Sequence, residues 1–544
     1  MRHRKPLKLL SPLLLIAMTI LTLSLLLLLV RLPLSSSINS PPSAINNACR
    51  AARFPSSCAA ALSSYPSLPS SPSAADLIAA ALSSAAAGLP TAKSMAQSIF
   101  SSSSSNPNRA TAARNCLDDL SLSTRRLSDS ASSAFLADSR AFAGAALLYQ
   151  YDCWSALKYV NNTSQVAKAM SFLDSLYALT SNALAMIAAL QRFGPDVSLW
   201  APPQTERDGY WGESAAAVAA AAASAIGRLV LSPPDLTVCI TGECDHRSVQ
   251  EAVMQAPDYG TRRFVIYIKE GVYRETVQVP IEKTNIAFVG EGMGKTVITG
   301  DLNAQMTGLS TYNTATVGVT GDGFVARNLT FENTAGPKAH QAVAFRSDSD
   351  HSVIEWVEFS GHQDTLYVRS LRQIYRHCRI LGTVDFIFGN SAAIFESCDI
   401  QVVSRLESPE KGESNAVTAH GRTDPGQPTG FVFKDCVVNG SDDYVSIYHR
   451  KPRAHRVYLG RPWKEFSRTV FLNCYLEEMI MPQGWLPWRG EFALATLFYG
   501  EYESKGPGAN SSARVSWSSQ IMAEHVGIYS AENFIQGNGW VPAD

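Results

Sequence analysis

Two hydrophobic periods divide this chain. Between residues 45 and 193, apolar residues recur at three- and four-residue intervals, and residues 74–87, 117–127, 135–149 and 166–190 each carry such a stripe. Ser, Pro and Asn stretches separate them, which predicts four helices in an antiparallel bundle. From residue 235 the period falls to two. Runs at 264–268, 276–279, 285–289 and 296–299 are rich in β-branched and aromatic residues and are punctuated by Gly and Asn, as short strands joined by tight turns would be. Residues 248–256 carry a helical pattern at the start of this part and are predicted to cap it.

The strand-rich part also repeats. Ile354-Glu355-Trp356-Val357-Glu358-Phe359, Tyr375-Arg376-His377-Cys378-Arg379-Ile380 and Phe395-Glu396-Ser397-Cys398-Asp399-Ile400 share one pattern, with landmarks at 357, 378 and 398, spaced 21 and 20 residues apart. A period near twenty built of short strands predicts a parallel β-helix. The landmark returns at Cys436 and Cys474, each 38 residues after the last, which fits either two coils or one coil with a long loop. The predicted fold is therefore two domains: an N-terminal all-α four-helix bundle and a C-terminal all-β right-handed parallel β-helix.

Two aspartates stand out against this repeat. Asp364 follows Val357 by seven residues and Asp385 follows Cys378 by seven, and both sit among apolar residues, where an unpaired carboxylate is costly. Equal offsets place them in one register on adjacent coils, roughly 5 Å apart. Carboxylates that close cannot both ionise easily, so one is expected to hold a proton while the other stays negative. Both could instead be turn or ladder aspartates, but the matching register of two apolar-embedded carboxylates favours chemistry.

Composition narrows the setting. The 544 residues carry a net charge of -1 with 17% charged residues, which gives no reason to propose a nucleic-acid partner. Arg2, His3, Arg4, Lys5 and Lys8 precede an uncharged apolar run over 11–30, so residues 1–31 read as a signal peptide or a signal anchor. Membrane contact is expected only through that segment. The ten cysteines suit the oxidising space beyond it. Local crosslinks Cys49–Cys58 and Cys116–Cys153 would staple the bundle, and Cys239 and Cys244 could close a loop. Cys378 and Cys398, one period apart, are expected to stack with a separation that fits a disulfide. Sequons begin at Asn161, Asn162, Asn328, Asn439 and Asn510. Residues 194–234 form a Pro- and Ala-rich linker in which Arg228 is a candidate processing point. The helical part shows no catalytic cluster: Asp118, Asp119 and Asp152 are expected to be solvated, leaving a binding or regulatory module.

Five stretches carry a resemblance. Gly271-Val272-Tyr273-Arg274-Glu275, Gln341-Ala342-Val343-Ala344-Phe345-Arg346, Gly361-His362-Gln363-Asp364-Thr365, Gly382-Thr383-Val384-Asp385-Phe386-Ile387-Phe388-Gly389-Asn390 and Leu459-Gly460-Arg461-Pro462-Trp463 resemble, in order, the signature blocks of plant pectin methylesterases. The helical region resembles the invertase and pectin methylesterase inhibitor domain, including its four-cysteine layout. The resemblance implies an inhibitor-like domain over 45–193 and a catalytic domain over 235–544 that demethylates pectin, with no metal or other cofactor. It implies Asp385 as nucleophile, Asp364 as acid and then base, and Gln363 and Gln341 as oxyanion donors. Arg461 would be the partner of Asp385, with Trp463 and Thr311 as substrate contacts. Implied partners are pectin and an inhibitor, either the chain's own domain or a separate protein, and the implied destination is the cell wall. His362 is expected to line the groove, and Trp485 and Trp488 are expected to pack. Residues 238–245 depart from the family's usual Asp-Gly-Ser-Gly turn, so the start of the catalytic domain is expected to differ while its chemistry stays intact. A pectin-cleaving hydrolase or lyase, or a non-enzymatic wall protein, are the alternatives; the Gln-Asp pair beside a second Asp disfavours them.

Overall fold

The computed structural model describes residues 43–211, 233–405 and 412–542. The targeting segment and Arg228 lie outside the described residues. Helices α1 (Ser43–Arg50) and α2 (Pro55–Ser63) precede four long ones: α3 (Ala74–Ser101), α4 (Pro107–Ser132), α5 (Leu136–Lys158) and α6 (Ser164–Phe193). Each long helix outruns its predicted stripe, because propagation adds one hydrogen bond per residue once a helix has begun. Caps set the starts: the Ser73 hydroxyl accepts from the Asp76 amide while the Asp76 carboxylate accepts from that of Ser73, and Asn106 and Thr163 cap α4 and α6. Leu77, Leu89, Leu120, Leu147, Leu173 and Ile187 form the bundle core. Cys49–Cys58 and Cys116–Cys153 are bonded as expected, joining α1 to α2 and α4 to α5.

The second part is a parallel β-helix, with one face built from a seven-stranded parallel sheet and the others from a 17-stranded set. Its corners explain the sequence period. Trp356, His377, Ser397, Asp435 and Asn473, each one residue before a landmark, all have φ between 52° and 55°. One left-handed residue per coil turns the chain at the same place, and the coils above it then fall in register. Tyr375, Phe395, Phe433 and Phe471 stack along the core with ring centroids 4.9, 4.6 and 4.5 Å apart. Phe395 pairs directly with Phe433, and Phe433 with Phe471, so each 38-residue spacing is one coil with a long excursion. Helix Val249–Gln255 closes the open end. Glu275 accepts from the Ser248 hydroxyl and the Val249 and Gln250 amides at its start, and Val249, Ala252 and Val253 are buried beneath it. The Cys239–Cys244 bond closes the loop just before.

The expected Cys378–Cys398 bond is not formed. Cys378, Cys398, Cys436 and Cys474 are buried free thiols, stacked on successive coils whose next residues pair in register. In-register parallel strands hold the side chains about 4.8 Å apart and parallel, whereas a disulfide draws the Cβ atoms to about 3.8 Å. Each sulfur lies against a carbonyl of the preceding coil instead, such as Cys398 Sγ to Tyr375 O at 3.4 Å and Cys436 Sγ to Phe395 O at 3.3 Å.

Candidate active site

Asp364 and Asp385 lie on adjacent coils of the seven-stranded sheet. Leu366 pairs with Ile387 two residues further on, and the Asp364 amide donates to Val384 O at 3.1 Å. Both aspartates adopt the left-handed conformation, with φ of 65° and 53°, and the ladder to the next strand shifts register between Val384 and Ile387. Such a backbone costs an L-residue about 1–2 kcal/mol. Here it re-aims both carboxylates toward the same cavity. The next coils supply their partner. Thr418 pairs with Gly460, and the following Arg461 amide donates to Thr418 O at 3.0 Å. Its guanidinium then meets Asp385 with two bonds, Nε to Oδ1 at 2.7 Å and Nη2 to Oδ2 at 2.6 Å.

This geometry sorts the two carboxylates. Asp364 and Asp385 are 8% and 5% exposed. Burial pushes the Asp364 carboxyl well above the usual carboxylate range, the charge on Asp385 pushes it further, and Arg461 opposes only through space. Burial also raises Asp385, but there the Arg461 hydrogen bonds and charge pull back. The proton belongs on Asp364 and the negative charge on Asp385.

A cavity of about 710 Å³ brings together all seven residues expected at the site: Thr311, Gln341, Gln363, Asp364, Asp385, Arg461 and Trp463. The Ala342 amide donates to Gln363 O at 3.1 Å, tying the two glutamines' coils together. Its walls are aromatic. Tyr367 and Phe388, each three residues after one of the two aspartates, stack 4.2 Å apart, and Trp463 meets Phe388 edge-on at 5.9 Å. Sequence reasoning passed over this pair although the shared offset was there to read. It also missed Tyr312, Arg369 and Lys464 in the lining.

Three expectations need correction. Trp485 is core, stacked 4.2 Å from Tyr499, but Trp488 faces the cavity with Arg461 over its ring at 4.4 Å. His362 is not in the lining; burial lowers its pKa and its Nδ1 is enclosed. Asp119 and Asp152 are not solvated. Asp119 is 4% exposed, and both carboxylates bind the guanidinium of Arg369, Asp152 Oδ2 at 2.9 Å from Nη2. Helical spacing shows which face of α4 and α5 is polar, not whether that face meets water or another domain.

That face roofs the cavity. Asn108, Asn115, Asp119, Asp152 and Tyr159 line it from the helical side. Around them Arg126 grips both oxygens of Asp322 at 2.7 Å, Tyr149 bonds Ser370 at 2.7 Å, Asp138 bonds Arg372 at 2.6 Å and Ser181 bonds Asp424 at 2.6 Å. Among the described residues, no group of three or more His, Cys, Asp or Glu side chains is placed to hold a metal ion.

Known proteins match both parts. The pectinesterase profile covers residues 235–538, and the plant invertase/pectin methylesterase inhibitor profile covers 43–186. A probable pectinesterase/pectinesterase inhibitor of Arabidopsis thaliana, number 64, is 51% identical over 505 residues, spanning 91% of this chain and 84% of that one. A pectinesterase/pectinesterase inhibitor of Prunus persica is 45% identical over 57% of this chain, a match spanning 58% of the relative's own length. Among solved structures, pectin methylesterase from carrot is 44% identical, covers 57% of this chain and 96% of its own, and superposes with a TM-score of 0.54.

Proposed function

We propose a mechanism for a chain that belongs to the pectinesterase family and carries an inhibitor-family domain ahead of its catalytic domain. Its substrate is methyl-esterified homogalacturonan. The Asp385 carboxylate attacks the ester carbonyl of a galacturonate, and the negative charge that forms on the carbonyl oxygen is met by the side-chain amides of Gln341 and Gln363. Asp364 gives its proton to the departing methoxy oxygen, so methanol leaves and an acyl–Asp385 anhydride remains. Asp364, now ionised, takes a proton from water as that water attacks the galacturonoyl carbonyl. The product acid departs, Asp385 is again a carboxylate, and Asp364 is again protonated. Trp463, Tyr367 and Phe388 offer flat faces for sugar rings, and Thr311 lines the same cavity.

The observation that carries this reading is the two-pronged bond from Arg461 to Asp385 alone, which makes one carboxylate of a buried pair the anion. With residues 235–544 on methylated pectin, methanol is expected to appear while polymer length stays constant. Shortening of the polymer would replace this reading with a glycosidase or lyase.

The helical domain acts as an inhibitor in cis by roofing the cleft, and once it is gone a separate inhibitor of the same fold could occupy the same face. Residues 1–31 direct the chain into the secretory route, as cleaved signal or anchor, and the enzyme works in the cell wall. Release of the catalytic domain would follow cleavage in 194–234.

A further inference from the structure

Ester hydrolysis as described leaves one guanidinium of the cleft unused. Arg369 lies five residues past Asp364 and lines the same cavity as Asp385 and Trp463. Its own domain does not balance its charge. Arg346 and Arg369 share the Asp348 carboxylate, at 3.7 and 3.3 Å. The remaining carboxyl partners come from the helical domain, since Asp119 and Asp152 both reach Nη2 and Asp152 also accepts from Nε at 3.1 Å. Asp348 on Nη1 and the Tyr312 ring 4.7 Å away hold the guanidinium from the catalytic side. When the helical domain leaves, the Nε–Nη2 edge loses both of these carboxylates. That edge is the planar fork that matches a carboxylate with two parallel bonds, and a cation in so enclosed a place is costly to leave unmatched.

We propose that the Nε–Nη2 edge of Arg369 is a carboxylate subsite of the cleft, one that takes the free carboxylate of a galacturonate already stripped of its methyl group. In the latent chain, Asp119 and Asp152 occupy it in that group's place. The proposal rests on the pectinesterase reading and adds a preference to it. Substrate with a free carboxylate near the ester being cut binds better than fully esterified substrate, and unesterified product competes for the same edge.

Residues 235–544 suit the test, because their core is separate from that of the bundle and the carrot enzyme covering this part is a whole chain. Methanol release from a fully esterified oligogalacturonate is followed with unesterified trigalacturonate as competitor, in wild type, Arg369→Gln and Arg369→Lys. The inhibition constant is expected to rise about tenfold in Arg369→Gln and by less in Arg369→Lys, which keeps the charge but not the fork. The KM for the esterified oligomer is expected to move much less, so that the ratio of the two constants shifts fivefold or more. Constants that move in parallel, or do not move, overturn the proposal. Should Arg369→Gln fail to fold, Arg369→Lys decides by the same ratio. A wild-type fragment that releases no methanol would overturn the mechanism itself, a result distinct from release with an unaltered inhibition constant.

Discussion

Asp385→Asn in residues 235–544 is expected to lower methanol release from methylated pectin by about 10⁴-fold or more, with KM nearly unchanged. The substitution keeps the shape of the side chain and removes the nucleophile. Arg461, 23% exposed on its side chain, then faces a neutral amide, so some stability is lost as well, on the order of 1–3 kcal/mol. A melting curve separates that loss from the chemical one. Asp364→Asn removes a proton carrier and leaves the nucleophile, so the expected loss is smaller, about 10²–10⁴-fold. Equal, modest losses in both variants would mean that neither carboxylate attacks the ester.

Removing the helical domain is expected to raise activity on polymeric pectin by about 100-fold or more relative to residues 45–544, because α4 and α5 lie across the cavity that the polymer must enter. The inhibition is expected to depend on pH. Docking buries Asp119, which pushes its pKa up to about 7; Arg369 opposes this and the neighbouring Asp152 adds to it. Free in water the same carboxyl titrates near 4. The docked state thus holds a proton that the undocked state gives up, so the stabilisation is fully present below about pH 4 and is lost as pH rises toward 7. The ratio of full-chain to fragment activity, measured at pH 5 and pH 8, is expected to move toward unity at the higher pH. A ratio that falls on going to pH 8 would contradict this.

The repeat carried most of the fold because each coil spends the same residues on the same corner. The left-handed position before Val357, Cys378 and Cys398 sets a period that can be counted, and the count alone places Asp364 beside Asp385. The long excursion before Cys436 hid the coil number, since a loop of free length carries no period. The cysteine stack was legible as a stack, but whether its sulfurs bond depends on about one ångström between parallel Cβ atoms. Arg461 came from a motif block, not from spacing, because the long loops between coils erase any offset between it and the aspartates; Gln341 also came from a motif block, although its coil pairs with that of Gln363 at the same period. The roles of Asp119 and Asp152 were out of reach for another reason: an acid on a helix face reads as solvated unless the docked partner is known, and Arg369, which holds them, lies over 200 residues away.

In this mechanism two adjacent carboxyls share one proton unequally. Titration of the Asp364 and Asp385 side-chain carbonyls by ¹³C NMR in residues 235–544, with single Asp→Asn variants to assign the signals, measures this directly. Asp385, held by Arg461, is expected to lose its proton at lower pH than Asp364, which keeps its own well above the ordinary carboxylate range. Two carboxyls that titrate independently near pH 4 would contradict the account.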